Sequence, residues 1–496
     1  MARLDRWFPL LLFLFALLVR FAAAGLTQFD GLYGQDPYAY YTYATELREA
    51  FAAGQAPPPF FWPLGYPLLI TVFTAFIGVH PLAGQLVSMI TGALIAPLVY
   101  LLVRLVRPGS YVGGLVAGLL AGVAAQLLLS SVSVMADAAA LFWATLSAWA
   151  MLRYGRDLRL SWLVAAAATL AFAVLTRWVY GLLVVPWGLS AWLACREARL
   201  SWRQIALAGG VATLVGLLIL GAHFAADLGR ERISYAGDIE VYSWNPLNAF
   251  KQTVNNPDGT FHYERPIGLF YALPAIHPAY VFPLFSPFLL LGLWWLWHSR
   301  QTTVPLSRLI LLVGWPLIVY LFLAGVTWQN WRFPLTLFPP LLVLVGLGLE
   351  WLWSQKLDRW RPLLLAGLGV ALVGSLAWSV RDIGRFTAWK ETQLATAQAV
   401  DAQLPPGATL LVFEITLTMR QYTDLEAVEL FAQEETDVAA LVAATEPLYL
   451  LLNVTNVESQ WLGKTPHQHY VWLQENSDLQ VIGQYEPYTL FQITRP

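Results

Sequence analysis

About eleven apolar runs, each near the length needed to cross a bilayer, constrain what this chain can fold into more than any other feature. They fall at 8–26, 85–103, 112–130, 138–152, 162–175, 178–194, 205–223, 281–297, 309–326, 333–348 and 363–380. A bilayer core takes about 20 apolar residues per helix, so the fold class expected is an α-helical polytopic membrane protein. Composition agrees, because 58% of the 496 residues are hydrophobic and only 12% charged, against about a quarter charged in soluble domains. A net charge of -2 excludes a generally basic nucleic-acid binder, so no nucleic acid is expected as a partner. The single cysteine, Cys195, excludes an intrachain disulfide and a zinc–thiolate site.

Cations set the orientation, since Lys and Arg collect at cytoplasmic ends. Arg3 with Arg6, Arg104 with Arg107, Arg153 with Arg156 and Arg159, Arg196 with Arg199 and Arg203, Arg300 with Arg308, and Lys356 with Arg359 and Arg361 occupy alternate loops. The N-terminus is therefore expected in the cytosol of a multi-pass cell-membrane protein, and everything after Val380 outside. The first run follows basic residues, as in a signal peptide, but continues past the length of an h-region and reads as an uncleaved span. Segment 66–76 is apolar but short, and counting it as a span would break the charge alternation. It reads as an interfacial or re-entrant piece.

Residues 1–380 form the expected transmembrane domain, with long outer loops at 27–63 and 224–280. Long loops rich in polar and aromatic residues tend to carry function. Residues 381–496 have a soluble composition and read as a small extracytoplasmic α/β domain. Its expected strands lie at 409–413, 448–452, 479–482 and 489–493, with a helix near 437–445. Asn453-Val454-Thr455 matches a glycosylation sequon but reads as a strand-end turn.

Four constellations carry chemistry on the outer face. Asp36-Pro37 has the form of a helix N-cap followed by N1, with Tyr40 and Tyr43 on the same helical face. It is followed by Pro57-Pro58-Pro59 and then Phe60-Phe61-Trp62-Pro63-Leu64-Gly65-Tyr66-Pro67, aromatic residues suited to the membrane interface. Asp137 is the only charge between Arg107 and Arg153, and a carboxylate at membrane depth is costly enough to mark a site. Arg177 and Arg332 sit at outer span ends, where arginine is under-represented and where a guanidinium suits phosphate oxygens. His223, His262 and His277, with Asp238, Glu240, Glu264 and Arg265, lack a local metal-ligand spacing.

An apolar span with Arg20, a short loop, D-x-Y-x-Y, an amphipathic helix and W-P-x-G-Y-P-L-L resembles the GT-C glycosyltransferases. The likeness is to the branch of protein O-mannosyltransferases and the lipid A aminoarabinose transferase. That branch has an acidic pair in the first loop, where this chain has Asp36-Pro37. The departure leaves a divalent metal open, and no cofactor is otherwise implied. The resemblance implies transfer of a sugar from a polyprenyl-phosphate donor to a hydroxyl on a lipid, glycan or protein, within membrane lipids. It implies an inverting displacement with Asp36 as base, Asp137 in support, Arg177 and Arg332 on the donor phosphate, and Tyr40, Trp62 and Tyr66 in the substrate groove. Alternative classes are a lipid or solute transporter, which would need polar groups near the midplane, and a non-catalytic membrane anchor for the C-terminal domain.

Overall fold

The computed structural model describes residues 5–227, 243–300, 304–355, 358–445 and 447–495. Arg3, Lys356, Asp238 and Glu240 lie outside them. In chain order the helices of the first part are α1 (Phe8–Thr27), α2 (Gln35–Ala52), α3 (Gly65–Ile77), α4 (Leu82–Val106), α5 (Tyr111–Val123), α6 (Ala125–Val132), α7 (Ala136–Asp157) and α8 (Leu160–Thr176). They continue with α9 (Val184–Glu197), α10 (Trp202–Asp227), α11 (Ile267–Ala272), α12 (Ser286–Ser299), α13 (Leu306–Gly325), α14 (Phe338–Trp353) and α15 (Arg361–Gln403). A hairpin of β1 (Thr253–Asn256) and β2 (Gly259–His262) lies before α11.

Every apolar run of the sequence is helical here. By length and composition, seven helices among the described residues can cross a membrane, or eight when α5 and α6 count as one bent span. Their outward faces remain apolar, as with Leu14 and Leu18 of α1, Leu217 and Leu218 of α10 and Val370 and Val373 of α15. Exposed apolar surface on that scale is stable only in lipid, so the chain is a multi-pass membrane protein. The helix α3, at 13 residues, reaches about 20 Å and is too short to span.

Between α5 and α6 the chain bends by 50°. Ala124, at the break, is extended. Arg20 of α1 is fully buried against it, donating to the carbonyls of Ala16 at 2.8 Å, Gly92 at 3.1 Å and Gly122 at 3.3 Å. A helix end inside hydrocarbon leaves carbonyls without partners, and the guanidinium supplies donors there. The bend carries α6 to the site described below, where its residues line the cavity.

Two glycines let α12 and α14 touch backbone to backbone. A Cβ on Gly292 would meet the Leu344 oxygen at 1.9 Å, and one on Gly348 would meet the Phe288 oxygen at 1.9 Å. Small residues are how membrane helices gain packing area. Gly348→Ala is therefore expected to cost about 1–3 kcal/mol through overpacking. The check is the apparent melting temperature of the detergent-solubilised protein, and an unchanged value would contradict this close crossing.

The 43 residues of α15 extend about 65 Å, twice a bilayer core. Past residue 380 a buried stripe of Ile383, Thr387, Lys390, Ala397 and Val400 carries it into the C-terminal domain. That domain comprises β3 (Thr409–Val412), α16 (Thr416–Tyr422), β4 (Glu426–Glu429), α17 (Glu435–Ala444), β5 (Leu448–Leu452), α18 (Val454–Val457), α19 (Thr465–Asn476), β6 (Asp478–Tyr485) and β7 (Tyr488–Thr494). The sheet order is β4-β3-β5-β7-β6. Parallel pairing joins β3 to β4 and β5, and antiparallel pairing joins β7 to β5 and β6. All five residues of β5 are buried, as a strand covered on both faces requires. Asn453 ends that strand in a turn, its side chain accepting from the Asn456 amide at 3.2 Å.

Candidate active site

The helix α2 starts two residues earlier than the Asp-Pro signature predicts. Gly34, at φ 79°, occupies the N-cap, so Asp36 is the second residue of the helix and makes no capping bond. The expectation of a capping carboxylate is corrected, because a glycine at positive φ already turns the chain into the helix. Asp36 is instead free to point away from its own backbone. Its Oδ2 lies 2.6 Å from Arg332 Nη1.

Asp137 is in the first turn of α7 and 4% exposed. Its Oδ1 accepts a charge-assisted hydrogen bond from Arg177, which follows the last residue of α8. The other oxygen, Oδ2, is buried without a hydrogen-bond partner and lies 3.9 Å from Arg332 Nε, which is also buried without one. The four residues thus form one chain, Asp36–Arg332–Asp137–Arg177, in which two carboxylates balance two guanidiniums. Gly65 makes that approach possible on the Arg177 side, because a Cβ there would lie 2.7 Å from the Leu175 oxygen. The glycine of W-P-x-G-Y-P is thus a place where α3 meets the end of α8.

Arg332 is held from behind by the 327–332 segment. The Asn330 side chain accepts from the Arg332 amide at 2.9 Å, and the Tyr271 hydroxyl donates to the Trp328 oxygen at 2.6 Å. The Tyr280 hydroxyl bonds the Trp331 oxygen. The Trp331 ring stacks on His277 with centroids 4.2 Å apart.

In front of Asp36 and Arg332 opens a cavity of about 770 Å³. Gln126, Ser130 and Ser133 line it near α6, His277 and Trp331 on another side, and Trp378, Asp382, Arg385 and Trp389 of α15 opposite. Burial pushes the His277 imidazole below its ordinary value, with Arg265 adding to the fall. Burial also pushes the Asp382 carboxyl up, opposed by Trp378, Arg381 and Arg385.

Residues 62–222 match the family described as dolichyl-phosphate-mannose-protein mannosyltransferase. Among solved structures, ArnT from Cupriavidus metallidurans in its apo state superposes with a TM-score of 0.64 at 15% identity, covering 97% of both chains. The same protein bound to undecaprenyl phosphate gives 0.64 at 16% identity, again over 97% of both chains. The apo oligosaccharyltransferase of Archaeoglobus fulgidus gives 0.60 at 14% identity, over 91% of this chain and 70% of that one. The chain therefore shares the fold of these proteins, and the family match covers about a third of it. No curated protein matches it in sequence.

Within this fold, Asp36 and Arg332 line the cavity and Asp137 and Arg177 stand behind them. Tyr40, Trp62 and Tyr66 are elsewhere, in an aromatic cluster outside the cavity lining. Tyr66 is fully buried, with its hydroxyl 2.7 Å from Ser88 Oγ and donating to the Gly84 oxygen at 3.0 Å. The Tyr40 ring packs 5.2 Å from Trp62 and 5.1 Å from Tyr66. Of the three histidines, only His277 borders the cavity.

Sequence reasoning missed the α15 wall. Trp378, Asp382, Arg385 and Trp389 are spaced four, three and four apart, the signature of one helical face, and that spacing was available in the sequence. It also missed Lys390, 6% exposed, which burial pushes down to about 8 while Asp30 opposes the fall. Among the described residues no three His, Cys, Asp or Glu side chains are gathered as metal ligands. With both site carboxylates facing arginines, the donor set does not fit a divalent ion.

Proposed function

We propose that this chain is a GT-C membrane glycosyltransferase that moves a sugar from a polyprenyl-phosphate-linked donor to an acceptor hydroxyl at the extracytoplasmic surface, by one inverting displacement with Asp36 as general base. The observation that carries the reading is the Asp36 carboxylate on the cavity wall, 2.6 Å from Arg332. A base and a phosphate-seeking cation side by side are what this transfer needs. The acceptor O–H proton passes to Asp36 as the oxygen bonds to the anomeric carbon. The bond from that carbon to the phosphate oxygen breaks, and the electron pair leaves with the polyprenyl phosphate. Arg332 and Arg177 would stabilise the charge that builds on it.

The Asp36–Arg332 ion pair also suggests an order of events. A carboxylate oxygen bonded to a guanidinium is not free to take the acceptor proton. Donor phosphate that engages Arg332 draws the guanidinium away and frees the Asp36 oxygen, so that the base becomes available on donor binding. In this reading Tyr40, Trp62 and Tyr66 support the wall from behind. Residues 1–380 form the catalytic membrane domain and residues 381–496 an outer domain. ArnT bound to undecaprenyl phosphate lends support through its shared fold.

The test is incubation of membranes holding the full chain with radiolabelled polyprenyl-phosphate sugars. The expected result is consumption of a donor, with the anomeric configuration inverted in the product. Retention of configuration, or no donor consumed while a solute is moved, would sink the reading. Reporter fusions check the side of the membrane, and a cytosolic C-terminal domain would contradict the outer-face assignment.

A further inference from the structure

Asp36 and Arg332 hang from different supports. The end of α2 that carries Asp36 joins the membrane helices through Gly31 and Gly34, at φ 88° and 79°, and glycine joints resist little by themselves. Further along α2, the Tyr43 hydroxyl is tied to the Pro58 oxygen at 2.7 Å. Close to Asp36 the lateral tie is Tyr38, whose hydroxyl accepts from Lys390 Nζ at 2.8 Å. Lys390 also donates to the Tyr422 hydroxyl of α16 at 2.7 Å and lies 3.7 Å from Asp30 Oδ2. Tyr422 in turn hydrogen-bonds Asp30, and Thr418 Oγ1 lies 3.3 Å from the Tyr38 hydroxyl. Burying an ammonium is expensive unless its donors are met, and here two phenols and a carboxylate surround it.

The Arg332 side is fastened to the same domain by another route. Trp328 donates its indole N–H to Asp258 Oδ2 at 2.8 Å, in the turn of the β1–β2 hairpin. Gln460 of the C-terminal domain accepts from the Thr260 amide at 2.8 Å and donates to the Asp258 oxygen at 2.8 Å. The fit is tight, since a Cβ on Gly259 would lie 2.4 Å from the Gln460 oxygen.

We propose that the C-terminal domain sets the position of Asp36 against Arg332, with Lys390 as the positioning residue on the Asp36 side and Gln460 on the Arg332 side. Neither lines the cavity, so both act through the segments they hold. The catalytic meaning of the clamp rests on the transfer reaction proposed above, but its geometry can be read without a donor.

The full chain is suited to the test, because its one cysteine, Cys195, is buried with Sγ 3.1 Å from the Tyr154 hydroxyl, a contact that Cys195→Ser can keep. In that background Gln35→Cys and Arg265→Cys, both at exposed positions and the second on the segment that Gln329 bonds through the Arg265 backbone oxygen, take spin labels for a pulsed electron-spin distance measurement. The parent should give one narrow peak. Lys390→Met should roughly double its width or split it, with Lys390→Arg restoring the peak. Gln460→Ala should broaden it less. Tyr38→Phe removes only the tie to α2, and it decides the matter should Lys390→Met fail to fold. An unchanged distribution in folded Lys390→Met, or in Tyr38→Phe where that variant stands in, overturns the proposal. A broadened peak with undiminished sugar transfer would leave the clamp standing and count against the catalytic reading of Asp36 and Arg332.

Discussion

Asp36→Asn is expected to lower kcat for sugar transfer by about 10²–10⁴-fold, the range that a positioned general base supplies. The substitution keeps shape and volume and removes only the capacity to take the acceptor proton. Because the Asp36 side chain is 23% exposed, loss of its ion pair should cost at most about 1 kcal/mol of stability, so the protein should purify normally. Arg332 would then meet donor phosphate without competition from Asp36, and the donor KM should stay level or fall. A drop in kcat without a rise in KM marks an interaction needed in the transition state rather than for donor binding. Initial rates over a range of donor concentrations, for the wild type and Asp36→Asn side by side, give both quantities. Undiminished kcat would place the base elsewhere, and Asp382, the other carboxylate on the cavity wall, would be next to substitute.

The residues that sequence reasoning found are those whose charge is conspicuous where it stands. Asp137 and Arg177 interrupt apolar runs, and Asp36 and Arg332 sit in aromatic, proline-rich segments. Charge there is costly enough to need a reason. The residues of the α15 wall have no such contrast, because Asp382 and Arg385 lie in a stretch that reads like any soluble helix. Their spacing defines a face, but which face turns inward is decided by α6 and the 327–332 segment, far away in sequence. Lys390 is hidden for the same reason, its partners being Tyr38 and Tyr422. Tyr66 shows the converse case. Its aromatic surroundings suggest a groove, whereas Ser88 and Gly84 of α4 engage its hydroxyl.

Fold elements divide along similar lines. The apolar runs and the strands at β3, β5, β6 and β7 could be read from hydrophobicity alone. The strand β4 could not, since Glu426-Ala427-Val428-Glu429 has no apolar run. It lies at a sheet edge, where charged side chains are the usual protection against further pairing. The break at Ala124 was also invisible, because no Pro marks it and Gly122 is one of four glycines in the same run. It stands where Arg20 donates to the Gly122 carbonyl, a partner contributed by another helix.

Asp137→Ala is expected to destabilise the protein by about 3–5 kcal/mol, the cost of removing one partner of a buried ion pair. Asp137 is 4% exposed and bonded to Arg177, so truncation leaves a guanidinium in the apolar site without its compensating charge. The expected sign changes when both charges go. Replacing a buried pair by neutral groups of similar size is often close to neutral in stability. Asp137→Asn with Arg177→Gln should therefore recover much of the stability lost in Asp137→Ala, while sugar transfer stays lost in both. A double-mutant cycle over Asp137→Asn, Arg177→Gln and the pair separates the coupling from the two single costs. The readouts are apparent melting temperature in detergent and the transfer assay. Purely additive stability changes would mean that the pair does not hold the end of α8 to α7. Retained transfer in the double variant would remove Asp137 and Arg177 from the reaction, leaving Asp36 and Arg332 to carry it alone.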